Sequence, residues 1–486
     1  MNEFKLYAQR IGLVGITNAL LSINVLVLLP ILTKNLSIED YSIWVQANVT
    51  ITLIPTVVLL GLPYTMVRFL AAEEIDDNKK EGFYTIFLAS MLMSLFACTL
   101  IFLLAEPISS ILFNSNVTFT RLLSIIIFIE CMNYPCLNFF RTFLRMKVYS
   151  TILIVKTYLN VVLVSWFVLT DQGIMGAITA LMVSSTTSFL IMAYLIVGDI
   201  GVKIPAFRHL REYLAFGVPT VPGNLSSWII NSSACYIISI LLGTSFVGYY
   251  SPGYSLGNVN LMFIGPFSVL LSAMLTRYYE NDNIKDIKLI LNYSLKYFLA
   301  LAIPSTVGLS LLSKPLLMIL SPAEIANNGY LITPFVALSA MIYGLYTFFA
   351  EIISVKKRTD ITGKIWIMAA ILNLVLNFAL IPRLGILGAA ITILITYTFA
   401  LLLSIYYSSR YIPLKMNTGF ITKSIFAASL MSLLIIFANP SGIVEVLMVI
   451  AVCAIFYAIL LLFLRAFSKE ELDFIKKAIK GPKMDG

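Results

Sequence analysis

Three ionisable residues lie inside long apolar stretches of the sequence, where a charge is unfavourable unless something binds it. Glu130 lies in the middle of one stretch, and Lys156 and Lys364 each lie eight or nine residues beyond an earlier lysine. An ionisable residue within a membrane span indicates a functional site by default. Two lysines that face one cleft would bind an anionic group such as a diphosphate.

Two structural roles for these residues stay open. Glu130 and Lys156 would neutralise each other if they formed a buried ion pair. Lys364 would reach the membrane surface if its long side chain extended along its helix.

Other residues that commonly do chemistry are scarce. The single histidine, His209, lies in a polar loop, and one histidine is too few for a histidine-dependent active site or a histidine-rich metal site. We expect no cofactor, no metal and no enzymatic activity. The cysteines lie in apolar stretches without CxxC spacing, which is typical of packing residues: Cys98, Cys131, Cys136, Cys235 and Cys453.

The elements that must position these residues are membrane-spanning helices. Of the 486 residues, 59% are hydrophobic and 12% are charged, and the mean hydropathy is +0.93. This is more apolar surface than a soluble core uses, and the apolar stretches are continuous rather than alternating. The sequence predicts an all-α membrane protein with fourteen spans, near 11–32, 43–66, 82–104, 118–140, 148–169, 173–197, 213–241, 246–274, 289–312, 328–353, 361–381, 385–408, 418–438 and 442–464.

Lysine and arginine fall almost entirely in alternate loops, which sets the orientation in the membrane. With the N-terminus inside, every inner loop is basic, and the outer loops hold only Lys34, Arg121, Lys314 and Arg383. The predicted location is the cell membrane, with both termini cytoplasmic. Because the basic loops face anionic headgroups and the cytoplasm, the net charge of +9 requires no nucleic acid partner.

The first and second parts of the chain repeat each other. GIMGA at 173–177 returns as GILGA at 385–389, and Met132–Phe140 resembles Met341–Phe349 at an offset of 209 residues. Lys156 and Lys364 then lie at nearly equivalent places. Because six spans is an even number, the repeats are parallel and can rock about a central cleft as in a transporter. A duplicated helical bundle with no transport role is the alternative.

The domain boundaries follow from this repeat. Spans 1–6 form an N-terminal lobe over 1–200, spans 7–12 a C-terminal lobe over 201–410, and two further spans occupy 411–465. The tail, 466–486, is predicted to contain an amphipathic helix that begins with a capping box of Ser468 and Glu471. This helix would rest on the inner membrane surface, or the tail would be solvated.

Polar residues and helix breakers are concentrated in spans 1, 2, 7 and 8. Polar groups are unfavourable in lipid unless they are paired, so such faces point at protein or at a watery cavity. Hydrogen bonding between helices explains any single residue as well or better. As a set they favour a substrate cleft formed by Asn18, Asn24, Gln46, Asn48, Asn224, Asn231, Tyr254, Asn258 and Asn260.

The segment PTVPGNLSSWIINSSACYIISILLGTSFVGYYSPGYSLGNV, which begins at Pro219, resembles the seventh and eighth spans of polysaccharide and O-antigen flippases. These belong to the multidrug/oligosaccharidyl-lipid/polysaccharide exporter superfamily. The resemblance covers nearly the whole chain. Its matching features are Pro219, the Asn231-Ser232-Ser233 run, Gly243, Val247-Gly248 followed by tyrosine, and Ile381-Pro382 before GILGA.

This resemblance implies the fold of multidrug-extrusion transporters, with two six-helix lobes plus two extra spans. It also implies flipping of a polyprenyl-diphosphate-linked oligosaccharide from the inner to the outer leaflet. The lipid-linked oligosaccharide and membrane lipid would be its partners, with H⁺ or Na⁺ coupling and contacts to polysaccharide-assembly proteins left open. Family members often carry an acidic residue after the Asn-Ser-Ser run, where this chain has Ala234 and Cys235. Glu130 therefore becomes the candidate for binding a coupling ion.

Two other functions stay open. A cation-coupled drug exporter would share the fold but would need acidic residues in its cleft. A membrane glycan polymerase, glycosyltransferase or ligase would need acid and base residues at an outer active site. The outer carboxylates are instead scattered, at Glu39, Asp40, Glu106, Asp171, Glu324 and Glu445.

Overall fold

The computed structural model describes residues 17, 20–21, 24–71, 73, 75–265, 267, 271, 275, 278–279, 284–414, 417–467 and 471. Every regular element within these residues is a helix. Two 3₁₀ segments, Val218–Thr220 and Asn258–Phe263, interrupt the seventh and eighth spans. The α-helices are α1 (Asn24–Asn35), α2 (Ile38–Val58), α3 (Leu62–Leu70), α4 (Asp76–Leu103), α5 (Ala105–Leu112), α6 (Val117–Thr142), α7 (Met146–Leu169), α8 (Gly173–Ile200), α9 (Leu210–Gly217), α10 (Val221–Leu242), α11 (Ser245–Gly257), α12 (Ile284–Leu311), α13 (Ser313–Leu320), α14 (Ala323–Gly329), α15 (Ile332–Val355), α16 (Thr359–Leu384), α17 (Ile386–Ser409), α18 (Thr418–Ala438) and α19 (Ile443–Phe463).

The predicted all-α membrane architecture is confirmed. Twelve helices in the described part of the chain are long and apolar enough to cross a membrane, and they match twelve of the fourteen predicted spans. The other two, 11–32 and 246–274, are described only in part, so the count of fourteen stays a prediction. Asn18 and the tail prediction at 468–480, apart from Glu471, lie outside the described residues.

Polar side chains mark where several spans begin. The Ser37 hydroxyl accepts a hydrogen bond from the backbone N–H of Asp40 at 3.1 Å at the start of α2. At α6, the Asn116 side chain accepts in the same way from a backbone N–H three residues on, and the Asn417 side chain does so at α18. Each cap satisfies a backbone donor that the first turn leaves unpaired.

GIMGA and GILGA form the same turn between two spans. Gly173 and Gly385 both have positive φ, at 57° and 62°, a conformation that glycine adopts without steric cost. Three residues later, a Cβ on Gly388 would lie 2.5 Å from the carbonyl oxygen of Leu380. A Cβ on Gly176 would lie 2.7 Å from the Cβ of Gln172 and 2.9 Å from the Cβ of Phe167 on the preceding helix. Two helices therefore pack tightly at each repeat, and larger residues would separate them.

The order of helix lengths also recurs. Helices α4 and α12 are each 28 residues long, α5 and α13 are each 8, and each pair begins 208 residues apart. Helices α7 and α16 begin 213 residues apart, because the second half carries the extra helix α14. As a result Lys156 is the eleventh residue of α7, whereas Lys364 is the sixth residue of α16, so the expected equivalence of these lysines is not found.

Two broken helices cross at a pair of glycines. The second span breaks at Leu60 and Gly61, which have φ of 47° and 72°, and the seventh span breaks at Val218–Thr220. A Cβ on Gly217 would lie 2.6 Å from the Leu60 carbonyl oxygen, and a Cβ on Gly61 would clash with the Gly217 carbonyl. Glycine on both sides therefore lets the two backbones touch.

The segment before this crossing is attached to the first half of the chain. Lys203 Nζ lies 2.8 Å from Asp77 Oδ2, the Ala206 N–H donates to Glu81 at 2.7 Å, and the Tyr84 hydroxyl donates to the Gly201 carbonyl at 2.6 Å. The hydrogen bond with Asp77 raises the pKa of Lys203, which means that the contact favours the charged form of this lysine. These bonds hold residues 201–206 against α4.

We predict that Gly61→Ala lowers the apparent melting temperature of the detergent-solubilised protein. The new methyl group would overlap the Gly217 carbonyl and force a residue with a side chain into positive φ, at a cost of about 1–3 kcal/mol. Gly363→Ala on α16 is the matched control, because no atom lies within 4 Å of its added Cβ. Equal melting temperatures for the two variants would contradict the close crossing.

Candidate functional site

The second span is joined to the seventh by a ladder of polar side chains. The Gln46 side-chain amide donates at 3.2 Å, a Thr50–Tyr236 hydroxyl pair lies at 2.6 Å, and the Trp228 indole donates at 3.2 Å. Gln46 and Thr50 lie one turn apart on α2, and the order of the pairs along α2 is opposite to their order along α10. It consists of the pairs Gln46–Ser239, Thr50–Tyr236 and Thr52–Trp228.

The contact continues to the end of α2 that faces α1. A Cβ on Gly248 of α11 would lie 2.6 Å from the Ser42 hydroxyl oxygen. The backbone of α11 at Gly248 therefore touches the Ser42 side chain of α2. Further hydrogen bonds join the same end of α1 and α2 to residues of the second half. They link Tyr41 with Ser251, Glu39 with Ser245, Thr33 with the Leu320 carbonyl and Lys34 with the Ile319 carbonyl. We call the ladder and these bonds together the polar contact.

Hydrogen bonds between polar side chains form this contact, but one buried acceptor in it has no hydrogen-bond partner among the described residues. Gln46 is fully buried, and its Oε1 has no hydrogen-bond partner among the described residues. A buried acceptor without a partner costs about 1–3 kcal/mol. Water could reach these hydroxyls and amides if the helices separated and replace their hydrogen bonds. Opening would also expose Val45 and Val49 of α2, which pack against apolar residues of the second half.

Three of the predicted cleft residues join helices within the second half. The Asn231 side chain accepts from Tyr397 at 2.8 Å, and its backbone carbonyl accepts from Tyr254 at 2.9 Å. Asn260 is fully buried and donates to Thr306 at 2.8 Å. In this conformation these residues form the interhelical hydrogen bonds that were the alternative explanation.

The other predicted cleft residues are less enclosed. Asn48 is half-buried and donates to a carbonyl of its own helix, whereas Asn224 and Asn258 are half-buried on the seventh and eighth spans. Asn24 is half-buried with an Oδ1 that has no partner among the described residues. The structure therefore brings Gln46 into the polar contact, leaves these four partly accessible, and does not describe Asn18.

Two exposed tyrosines extend the accessible polar surface. Tyr64 of α3 is 51% exposed and Tyr134 of α6 is 40% exposed, and these two helices pack against each other. Asn138 lies one turn beyond Tyr134 on the same face. Tyrosine is common in apolar spans, and the sequence pattern does not mark out these two residues.

Glu130 and Lys156 form an ion pair that joins three helices of the first half. Lys156 Nζ on α7 lies 2.7 Å from Glu130 Oε2 on α6, with side chains 26% and 11% exposed. Ser185 on α8 donates to the other carboxylate oxygen, and Asn133 donates to the Ser185 carbonyl at 3.2 Å. The ion pair considered as an alternative is thus formed in this conformation.

Lys364 lies apart from this pair. It is exposed on α16, on the side that also carries Ile367, Ile371 and Val375, all of which are exposed and apolar. Such a face is typical of a helix surface in contact with lipid, and a lysine five residues from the start of its helix can extend to the membrane surface.

The described residues contain no group of three or more His, Cys, Asp or Glu side chains that could hold a metal ion. His209 is an exposed loop residue whose Nδ1 lies 3.4 Å from a carboxylate oxygen of Glu212. The five cysteines are all buried and unpaired with one another.

A large apolar groove lies in the second half, between α12, α18 and α19. Its volume is about 900 Å³, and residues such as Leu301, Pro304, Met431, Tyr457 and Leu461 line it. One end lies close to Lys296 on α12, whose Nζ is 2.8 and 2.7 Å from the carboxylate oxygens of Glu471. The sequence pattern does not single out Lys296, because it follows the inner-loop lysines and resembles a residue near the membrane surface.

Comparison with known families identifies relatives across this site. A family model described as "polysaccharide biosynthesis protein" matches residues 31–322. A probable low-salt glycan biosynthesis flippase, Agl15, of Haloferax volcanii is 19% identical over 213 residues, which is 44% of this chain and 45% of that protein. A probable flippase of the same organism, AglR, is 25% identical over 171 residues, 35% of this chain and 36% of that protein. The chain thus matches less than half the length of these relatives.

Solved structures share the fold. The lipid II flippase MurJ in an inward closed conformation has a TM-score of 0.77 and 16% identity, over 95% of this chain and 99% of that one. An inward-facing multidrug resistance transporter of the MATE family has a TM-score of 0.69 and 16% identity, over 82% and 98%. The expected likeness to multidrug-extrusion transporters is therefore confirmed for the fold.

The Glu130–Lys156 pair predicts a specific pattern of stability changes. Replacing one partner, as in Glu130→Gln or Lys156→Gln, leaves the other charge buried and should destabilise the protein by about 3 kcal/mol. The double variant should be less destabilised than the sum of the singles, because neither charge is left unpaired.

Melting curves of the detergent-solubilised variants measure this coupling. Asp199→Asn is the control, since the Arg145–Asp199 pair is 44% and 27% exposed and should contribute at most about 1 kcal/mol. Strictly additive effects of the Glu130 and Lys156 substitutions would show that the pair is not coupled.

Proposed function

Because the chain belongs to the polysaccharide biosynthesis protein family, we propose that it is a flippase for polyprenyl-diphosphate-linked oligosaccharide. It would move this lipid from the inner to the outer leaflet for the assembly of a cell-surface polysaccharide or glycan. The match of residues 31–322 to the family carries this proposal. The flippases named above, including a lipid II flippase of the same fold, support it.

The loop charges and helix lengths support the arrangement in the membrane. Basic inner loops favour a multi-pass protein with both termini in the cytoplasm. The recurring lengths of α4, α5, α12 and α13 favour two lobes related by an axis along the membrane normal, each with six spans. Two further spans, α18 and α19, pack against α12 on the outside of the second lobe.

Transport would proceed by alternating access about the polar contact. In this orientation the polar contact would lie between the lobes on the outer side, and the conformation described would be closed to the outside. Release of the oligosaccharide outward requires these hydrogen bonds to break. Each contributes only about 0.5–1.5 kcal/mol net, because water replaces the lost partner. A polar contact of this kind is stable enough to close and weak enough to open.

The accessible polar residues suit a sugar headgroup. Asn48, Asn224, Asn258, Tyr64 and Tyr134 offer amide and hydroxyl groups at partly exposed positions of the spans. Such groups hydrogen-bond sugar hydroxyls and let water fill the cleft when it is empty. The polyprenyl tail would remain in apolar surroundings throughout transport. The groove of about 900 Å³ offers such surroundings inside the protein.

The charged residues of the first lobe would couple transport to an ion. Glu130 holds Lys156 in the conformation described. If Glu130 took up H⁺ or Na⁺, it would release Lys156, and the freed ammonium group could bind the diphosphate. Lys364 would contribute from the surface of the second lobe. Contacts with polysaccharide-assembly proteins would then hand over the flipped lipid.

The two other functions differ from this one in observable ways. A drug exporter of the same fold would need acidic residues in its cleft to bind cationic drugs, and Glu130, the acidic candidate inside the spans, is paired with Lys156 in this conformation. The described residues bring no acid and base pair to the outer side in the geometry that a polymerase or ligase requires.

We predict that a strain lacking this gene accumulates complete lipid-linked oligosaccharide that is reachable only after cell lysis. Lipid extracts of intact and lysed cells, probed for the glycan, measure the two pools, and a complemented strain is the control. Increased drug sensitivity without accumulated glycolipid would instead support the exporter. Accumulation on the outer face would support a polymerase or ligase.

A further inference from the structure

Lys296 of α12 is enclosed by one carboxylate and two aromatic rings. Its Nζ lies 2.8 and 2.7 Å from the carboxylate oxygens of Glu471, and the two side chains are 10% and 5% exposed. The rings of Phe420 and Phe467 lie 5.2 and 5.1 Å from the same Nζ. This arrangement is a binding site for an anion, and a residue of the chain itself fills it.

The anion site lies at one end of the apolar groove. The groove begins at Ala300, one helical turn beyond Lys296 on α12, and Phe467 lines both the groove and the anion site. The groove wall is almost entirely apolar along its length. A cation at the end of an apolar channel matches a molecule with a long hydrocarbon chain and a negatively charged head.

The two partners of the ion pair are anchored differently. Lys296 belongs to a membrane span, whereas Glu471 lies eight residues beyond the end of α19 at Phe463 and reaches Lys296 from outside the spans. Withdrawal of Glu471 would leave Lys296 buried and charged, which is unfavourable unless another anion takes its place. The spans supply Lys296 and Phe420, whereas Phe467 and Glu471 both follow the end of α19. Glu471 is the group that another anion would replace.

We propose that Lys296 forms a second site for the diphosphate of the polyprenyl carrier, separate from Lys156, with the isoprenoid tail in the groove, and that Glu471 occupies this site when no carrier is bound. The identity of the lipid rests on the proposed function. A diphosphate oxygen accepts hydrogen bonds from Nζ as a carboxylate does, and the rings of Phe420 and Phe467 continue to surround the ammonium group. The carrier and the chain beyond α19 therefore compete for one cation.

The test measures the binding of farnesyl diphosphate, a short isoprenoid diphosphate, to the purified full-length protein in detergent. Glu471→Gln should bind it about tenfold more tightly, because the competing carboxylate is gone and the site is open more of the time. Lys296→Gln, alone or combined with Glu471→Gln, should bind at least about tenfold more weakly, since the cation is lost. Lys423→Gln is the matched control, because this lysine contacts the same segment at the Arg465 carbonyl but lies outside the anion site.

Two results would overturn the proposal. If Glu471→Gln bound as weakly as Lys296→Gln, or if neither changed the affinity, the pair would have only a structural role. Should Lys296→Gln fail to fold, Glu471→Gln decides alone, because only a competing occupant predicts tighter binding after its removal.

Two further probes identify the source of the phosphate. Inorganic diphosphate should compete poorly with farnesyl diphosphate, because it has no tail for the groove. Equal competition by phosphatidylglycerol would overturn the assignment to an isoprenoid carrier. Because binding is measured on the purified protein, its outcome does not depend on glycolipid accumulation in the deletion strain, and either proposal can fail while the other stands.

Discussion

A polar group inside a lipid bilayer needs a partner, and the arrangement of this protein depends on where those partners are found. Asn260 finds its partner on α12, which fixes the eighth span against the second half. Glu130 finds Lys156 and Ser185, which ties α6, α7 and α8 together. Gln46 finds Ser239 across the two halves of the chain. The first two join helices within one half of the chain, whereas the third joins the two halves, which separate in the transport mechanism that we propose.

The two ionic centres illustrate this difference. Glu130 and Lys156 both belong to spans of the first half, so each partner is anchored in a helix of the bundle. Lys296 belongs to a span, but Glu471 lies beyond the last span, and in our proposal the diphosphate of the carrier replaces its carboxylate. The halves therefore resemble each other in helix order but hold their buried charges in different ways.

Much of the fold could be predicted from the sequence, because a helix that crosses a bilayer must be apolar along its length. The turns at GIMGA and GILGA are also visible, since only glycine fits both the positive φ of the turn and the close packing of its helices. The partners of Asn231 and Asn260 could not be predicted, because they depend on how each helix is rotated about its axis. The equivalence of Lys156 and Lys364 failed because the extra helix α14 shifts the repeat. Lys296 was missed because its partner lies 175 residues away.

The central claim is that the polar contact between α2 and the seventh and eighth spans must open for the lipid to leave. A disulfide between Ser42→Cys and Gly248→Cys tests this most directly, because a Cβ at 248 would lie 2.6 Å from the Ser42 hydroxyl, within reach of the bond. The five native cysteines are buried, and the single variants serve as controls. Delivery of lipid-linked glycan to the outer leaflet should stop when the bond is oxidised and resume on reduction. Undiminished delivery with the bond fully formed would contradict the account.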